Sequence, residues 1–147
     1  PELDAVGRRL VSLRGALFAS PTYLEGRGTP SHPDELLDHR CIGLLNPEWH
    51  FVSPDGGERV VHRVPVGLAT NSVALLRAAL IAHQGIAYAF PSSFAKDVAR
   101  GRLVRVLDDW TAGASVEVYA FYPRTAYVPA RTRAFLDLLL SHLAQGK

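Results

Sequence analysis

Sulfur is scarce in this sequence. It contains one cysteine, Cys41, and no methionine. One cysteine cannot form a disulfide within the chain, which fits a protein of a reducing compartment. Cys41 has Ile42, Leu44 and Leu45 close by, so we expect it to be a buried, small apolar residue rather than a reactive thiol. Because methionine is missing even at position 1, we expect the chain to be a piece of a longer protein.

Long apolar segments are also missing. A helix that spans a bilayer needs ~20 predominantly apolar residues, and the longest candidate here, 73–82, is interrupted by Arg77. The chain does not open with the charged and then apolar segments of a signal peptide. These features predict a cytoplasmic protein with no membrane partner.

A strong excess of charge of one sign is absent as well. The formal net charge is +2 and the pI is about 9.0, but arginines such as Arg59, Arg63 and Arg105 are scattered between apolar residues. A nucleic-acid interface usually concentrates its positive charge on one face or one helix. We therefore do not expect this chain to contact DNA directly.

Motifs for metal binding and catalysis are missing. The six histidines occur singly, with no HxH, HxxxH or CxxC pair, so we expect no metal site. The sequence has no glycine-rich phosphate loop and no GxSxG elbow. A small hydrolase that uses Ser20 is poorly supported, because no base stands at a recognisable spacing. His83, at the end of a predicted helix, fits a residue that satisfies free carbonyls there. The sequence therefore predicts neither an enzyme nor a cofactor site.

Strands and helices alternate along the chain. Residues 7–20 are predicted to be extended with a turn at Arg14-Gly15, and residues 54–57 (PDGG) to form a hairpin turn. Further strands are predicted at 41–45, 49–53, 58–64, 66–70, 86–90, 103–107 and 116–122, and helices at 21–28, 34–39, 73–84, 91–100 and 130–145. This order predicts an α/β fold with a mixed sheet.

Small polar residues occupy two strand-to-helix junctions. Ser20 precedes Pro21, and Asn71-Ser72 precede the helix at 73–84. Such residues are preferred helix N-caps in any protein, so each one taken alone fits a structural role. In open α/β sheets, however, ligands bind at the carboxyl ends of strands, where helix N-termini favour anions. Both interpretations stay open, and the second predicts that the helix ends near positions 20 and 72 converge on one crevice.

These motifs resemble the effector-binding domains of LysR-type transcriptional regulators. Residues 16–45 (ALFASPTYLEGRGTPSHPDELLDHRCIGLL) are similar to the segment that starts the second lobe of such domains. That segment typically has an aliphatic strand, Ala-Ser-Pro-x-Tyr-Leu, Gly-x-Pro, Asp-Leu and His-x-Cys, with counterparts here at 19–24, 28–30, 35–36 and 39–41. Similar motifs follow in the same order at 49–51, 70–72, 85–87, 90–91, 101–110, 118–123 and 133–137. The resemblance covers nearly the whole chain.

The resemblance implies an architecture. Such domains have two Rossmann-like lobes joined by two crossing strands, as in type II periplasmic binding proteins. By analogy, residues 15–120 form lobe two, and residues 1–14 and 121–147 are a remnant of lobe one. The first half of lobe one and the winged helix-turn-helix domain of the full family proteins would be absent from a truncated chain. The last helix, with an apolar stripe, is then expected to pack against a neighbouring copy or a reduced sheet. The stripe comprises Phe135, Leu136, Leu139, Leu140 and Leu143.

The resemblance also implies a function. A small metabolite, often an organic acid or aromatic compound in this family, would bind in the cleft between the lobes. We expect contacts from Ser20, Thr70, Asn71 and Ser72, with Phe90 as an apolar wall. The chain would form a homo-oligomer through the helix at 73–84, and DNA would be bound only by the absent N-terminal domain. The alternative is a periplasmic solute-binding protein of a transport system. Arg77 could belong to the rim of the interface or to the ligand site.

Overall fold

The structure is a computed structural model that describes residues 5–43, 48–123 and 129–145. The strands of this part of the chain are β1 (Ala5–Ala19), β2 (Cys41–Gly43), β3 (Glu48–Val52), β4 (Arg59–Arg63), β5 (Val66–Ala69), β6 (Ile86–Ala89), β7 (Val104–Val106) and β8 (Thr111–Pro123). Its α-helices are α1 (Pro21–Arg27), α2 (Val73–Ile81), α3 (Pro91–Ala99) and α4 (Ala130–Gln145), and a 3₁₀ helix covers Pro33–Asp38. The predicted mixed α/β class is confirmed.

The chain forms two compact units. Unit 1 comprises residues 1–13 and 115–147, and unit 2 comprises Arg14–Ala114. From the resemblance, the two boundaries were expected after residues 14 and 120. In the structure the chain divides after Leu13 and after Ala114, so β1 and β8 each contribute residues to both units.

The strand directions in unit 2 determine the edge of the sheet at which each following helix begins. β2 pairs in parallel with β5 on one side and with β6 on the other. The register aligns Ile42 with Leu68 of β5 and with Ala87 of β6. β1 runs antiparallel to β6, with Phe18 opposite Ala87, and β7 also pairs antiparallel with β1. β5, β2 and β6 therefore end at one edge of this sheet, and β1 ends at the opposite edge.

Alternate residues of β1 point into two cores, because residues i and i+2 of a strand share a face. Phe18 packs on the side that α2 and α3 cover, where its ring meets Phe94 edge to face at 5.3 Å. Leu17 lies on the other face, in a core that also contains Tyr23 of α1 and Trp49 of β3. Cys41 belongs to this second core and is 0% exposed, as the sequence predicted.

The hairpin predicted around residues 54–57 is confirmed. β3 and β4 pair antiparallel, with Val52 opposite Arg59, and the Ser53 amide donates to the Glu58 carbonyl at 2.9 Å. The turn predicted at Arg14-Gly15 is wrong, because β1 is continuous over 15 residues. The residues that follow, 16–19, pair with β6 and β7, and the strand enters that pairing without a turn. A single sequence does not reveal those partners.

The face of α2 that is buried differs from the face that the spacing of its apolar residues predicts. The spacing of Val73, Leu76, Leu80 and His83 predicts that they share one buried face. Leu76 and Leu80 are buried, but Val73 is 51% exposed and Ala79 takes its place in the core. All residues from 71 to 75 are exposed, so the first turn of α2 is open to solvent. None of the helices in the described part of the chain has the length and apolar character that crossing a membrane requires.

In unit 1, α4 buries only part of its predicted apolar stripe. Leu136 is 6% exposed, whereas Phe135 is 63% exposed and the neighbouring Leu138 is 68% exposed. Arg8 of β1 reaches Asp137 of α4 at 3.2 Å. The expectation that α4 packs against a second copy or a reduced sheet stays a prediction.

Candidate functional site

Four of the predicted ligand contacts lie at one edge of unit 2. Thr70, Asn71 and Ser72 follow the end of β5, and Phe90 follows the end of β6. Both strands run parallel to β2, which lies between them, so the two groups are about 10 Å apart across two strand spacings. Asn71 and Ser72 are exposed, and Thr70 and Phe90 are partly exposed. We call this set of four residues the carboxyl edge.

The hydroxyls of the carboxyl edge fix the start of α2. The Ser72 hydroxyl accepts the Leu75 amide at 3.3 Å, and the Thr70 hydroxyl accepts the Ser72 amide at 3.0 Å. The Thr70 amide in turn donates to the Gly43 carbonyl of β2 at 2.9 Å. The structural role of Ser72 as an N-cap is therefore confirmed. A hydroxyl that accepts one hydrogen bond still has a proton to donate, so capping leaves both groups able to bind a ligand oxygen.

A second helix also begins at the carboxyl edge. α3 follows Phe90, whose side chain makes no capping bond, and Pro91 occupies its first position. Neither α2 nor α3 has an acidic residue in its first turn. The partial positive charge of the two helix N-termini is therefore not neutralised by a carboxylate in either first turn, and an anion is favoured nearby.

Ser20 is not part of the carboxyl edge, which corrects the expectation that it converges with Ser72. Because β1 is antiparallel to β6, Ser20 lies beside the start of β6 and thus at the opposite edge. Its side chain is buried at 1% exposure. Its hydroxyl accepts the Tyr23 amide at 3.4 Å and lies 2.8 Å from the His83 Nδ1 atom. The protein's own groups thus occupy Ser20.

The Ser20–His83 contact was missed by sequence reasoning. His83 was predicted to satisfy carbonyls at the end of its own helix. Instead it has a left-handed backbone, with φ of 59°, and its ring reaches Ser20, 63 positions away in the sequence. A serine beside a histidine can act as a nucleophile and base, but a serine that is 1% exposed cannot meet a substrate. The contact therefore connects the end of α2 to the start of α1.

Arg77 has a partner that neither of its two predicted roles included. Its guanidinium forms an ion pair with Asp97 of α3, at 2.6 and 2.8 Å. Arg102 adds a second contact to Asp97 at 2.6 Å. The two helices that begin at the carboxyl edge are therefore joined to each other.

The chemistry for metal binding is not present in the described ranges. No group of three or more His, Cys, Asp or Glu residues there could hold an ion. Burial raises the pKa of the Cys41 thiol to about 12, so this sulfur stays protonated and is a poor metal ligand. A small cavity of about 70 Å³ is lined by residues that do not belong to the carboxyl edge, namely Arg40, Cys41, Ile42, Gly67, Leu68 and Gln84. Typical ligand pockets are several times larger, about 300 Å³ or more.

Comparison with known families identifies relatives over the whole chain. A family model described as the LysR substrate binding domain matches residues 1–144. An HTH-type transcriptional regulator of Xanthomonas campestris is 34% identical over 151 residues, which cover 97% of this chain and 43% of the relative. The regulator CrgA of Neisseria meningitidis is 30% identical over 152 residues, which cover 99% of this chain and 50% of the relative. The chain spans about half the length of the curated relatives it matches.

Solved structures agree with these matches. Full-length AphB, a virulence activator of Vibrio cholerae and a member of the LTTR protein family, aligns with a TM-score of 0.82 and 25% identity over 97% of this chain and 49% of AphB. The regulatory domain of CrgA aligns with a TM-score of 0.74 and 28% identity, over 95% of this chain and 70% of that domain. The expected type II periplasmic-binding-protein-like fold is confirmed. The relatives are regulators of transcription and not enzymes, and the transport alternative is not favoured.

Proposed function

Because this chain belongs to the LysR substrate-binding-domain family, we propose that it senses a small effector for a LysR-type transcriptional regulator and binds that effector at the carboxyl edge. The observation that carries this assignment is the common direction of β5 and β6. It places Thr70, Asn71, Ser72 and Phe90 beside the N-termini of two helices. Ser20 is left out of the site, because it lies at the opposite edge and is buried.

The chemistry of the carboxyl edge favours an organic anion with an apolar part. The hydroxyls of Thr70 and Ser72 and the amide of Asn71 can donate hydrogen bonds to a carboxylate. The N-termini of α2 and α3 add positive potential at the same place. Phe90 offers an apolar surface about 10 Å across the sheet. An aliphatic or aromatic carboxylic acid is the ligand class that fits these groups.

The whole regulator would convert this binding into a change in transcription. A ligand shifts a conformational equilibrium only by as much as its affinity differs between the two states. In our proposal the effector favours one arrangement of the regulator, and a DNA-binding domain outside this chain reads the change. Such a protein acts in the cytoplasm, where the bacterial chromosome is.

We assign the oligomer contact to the exposed side of α2. Val73 and Leu75 are 51% and 48% exposed in the first turn of this helix, and the helix is apolar apart from Arg77. A second copy of the chain would cover this surface. Leu75→Glu is expected to shift the full regulator toward monomer in analytical ultracentrifugation. Leu37→Glu changes a residue that is 51% exposed elsewhere, and it should leave the oligomer intact.

The effector site is tested by two N-cap substitutions that differ in charge. Asparagine and aspartate both cap helices well, so Ser72→Asn and Ser72→Asp should both keep α2 and the thermal stability. Only the aspartate places a negative charge where a carboxylate would bind. The probes are acetate, succinate, benzoate and salicylate, measured by thermal shift on the full regulator.

The expected result is that at least one probe stabilises the wild-type protein and Ser72→Asn, and that Ser72→Asp binds it at least tenfold more weakly. Equal binding by Ser72→Asp would reject the assignment of the site. If none of the four acids stabilises the wild-type regulator, the carboxylate class is wrong. A matching reporter-gene assay with the same variants connects binding to transcription.

A further inference from the structure

One side chain of β6, Tyr88, lies against both strands that contribute residues to the two units. The hydroxyl end of its ring is next to Gly15 of β1 and next to Gly113 of β8. A Cβ atom added at either glycine would overlap this end of the tyrosine. The two glycines thus leave the space that the Tyr88 ring fills.

The two glycines occupy matching places in the chain. Gly15 is the second residue of unit 2 on β1, and Gly113 is the second-last residue of unit 2 on β8. Gly113 has φ of 74°, a conformation that favours glycine over other residues. Each strand therefore has no side chain one residue inside the boundary of unit 2, and the same tyrosine covers both positions.

Tyr88 is held in this position from its other side as well. Its ring is packed against the core that contains Leu17 and Trp49, with 6.2 Å between the Tyr88 and Trp49 ring centres. Burial raises the pKa of the Tyr88 hydroxyl, and a hydrogen bond from the Gly15 backbone opposes that rise. The phenol is thus a fixed, neutral group with contacts to three strands of unit 2.

We propose that Tyr88 is a latch that fixes the segments of β1 and β8 around Gly15 and Gly113, where β1 enters unit 2 and β8 leaves it. With the ring in place, neither backbone can move independently there. When the ring is displaced, the two segments become mobile together. This property belongs to the fold of unit 2 and does not depend on the effector site proposed above.

Hydrogen–deuterium exchange of the 147-residue chain tests the latch. Tyr88→Leu keeps an apolar residue on β6 but removes the ring from the two glycines. We expect amides in residues 12–16 and 111–115 to exchange at least tenfold faster, while those of β2 and α2 keep their rates. Tyr119→Leu is the matched control, because Tyr119 lies on β8 but is 46% exposed, and it should leave both segments unchanged.

Two results would overturn the latch. Unchanged exchange in both segments would show that the ring does not restrain them, and a uniform rise over the whole unit would show that Tyr88 is only a core residue. If Tyr88→Leu does not fold, Tyr88→Phe replaces it. That variant loses the contact with the Gly15 backbone, and exchange should rise at least threefold in residues 12–16; an unchanged rate there counts against the latch.

A substitution on the facing strand gives an independent check. Gly15→Ala puts a methyl group where the Tyr88 ring lies, so it should displace the ring and speed exchange in both segments. In the Tyr88→Leu background the same methyl group finds space, and it should add no more than a twofold change. Additive effects of the two substitutions would contradict the contact on which the latch depends.

Discussion

Arg77 of α2 and Asp97 of α3 form a two-point ion pair, with Nε–Oδ2 at 2.6 Å and Nη2–Oδ1 at 2.8 Å. The Asp97 side chain is 2% exposed, and Arg102 donates to it as well. Hydrogen bonds from Arg77 lower the pKa of the Asp97 carboxyl. The carboxylate therefore stays charged near neutral pH, and it holds together the two helices that begin at the carboxyl edge.

Replacing Asp97 should destabilise unit 2. Asp97→Ala leaves two guanidinium groups without their buried partner, and we expect a loss of about 2 kcal/mol in the free energy of unfolding. Urea unfolding at pH 7 measures this. Asp137→Ala is the control, because Asp137 is 60% exposed and pairs only at the surface with Arg8, where such pairs contribute little. Equal urea midpoints for the two variants would contradict a structural role for Asp97.

Stability should fall as the pH drops below 6.5, because of His39. Burial lowers the pKa of His39 from its ordinary value of 6.5, and the Tyr23 hydroxyl lies 3.2 Å from its Nδ1. Since that hydroxyl also accepts the Arg40 amide, it is expected to donate to a neutral His39 ring. The unfolded chain then binds a proton more readily than the folded one. The contribution is complete above pH 6.5 and is lost as the pH falls through the folded pKa.

Thermal unfolding between pH 7.5 and pH 5 measures this effect. His39→Gln removes the titrating group, so its melting temperature should vary less over this range than that of the wild-type chain. The lowered carboxyl pKa values of Asp97 and Glu117 have the same sign, but they act below pH 4.5, since their ordinary values are 3.8 and 4.5. If the melting temperature of His39→Gln falls with pH as steeply as that of the wild type, a group other than His39 causes the loss of stability.

Replacing either of two glycines by alanine should change the stability of the chain in opposite directions. Gly85 has φ of 154°, and a Cβ there would overlap the Arg40 carbonyl, which accepts the Ile86 amide. Because backbone cannot move aside as a side chain can, Gly85→Ala should cost more than about 2 kcal/mol. Gly26 lies in α1 with open space around it, and Gly26→Ala should stabilise the chain by about 0.5–1 kcal/mol. Chemical denaturation of both variants measures the two changes in the free energy of unfolding, and changes of the same sign would contradict the prediction.

Alanine substitutions at two leucines of α4 should have different effects on stability. Leu136 is 6% exposed and Leu138 is 68% exposed, although they are only two positions apart in α4. Leu136→Ala should destabilise the chain by about 2–3 kcal/mol through loss of burial and a residual cavity, and Leu138→Ala should change the free energy of unfolding by less than about 0.5 kcal/mol. The comparison is made on dilute protein by urea unfolding. A large effect at Leu138 would indicate that this surface is covered in solution.

Much of the fold and part of the candidate site could be predicted from local sequence patterns. The alternation of strands and helices predicted the α/β class, and the start of α2 at Ser72 followed from a capping residue ahead of an apolar helix. The site was predicted only in part. Ser20 and Ser72 have the same local signature, a small polar residue between a strand and a helix, yet they lie at opposite edges of unit 2. Nothing within a few residues of Ser20 distinguishes the two cases.

The sequence by itself determined where helices begin, that Ser20 and Ser72 cap two of them and that Cys41 is buried, because these features depend on neighbours within one or two turns. The tertiary structure alone decided the direction of β1 relative to β6, and with it the edge at which Ser20 lies. It also decided the contacts of Tyr88 with Gly15 and Gly113 and of Arg77 with Asp97. These depend on pairing between strands and packing between helices that are 20 to more than 70 positions apart, and the free energy of such contacts is not encoded in any single segment.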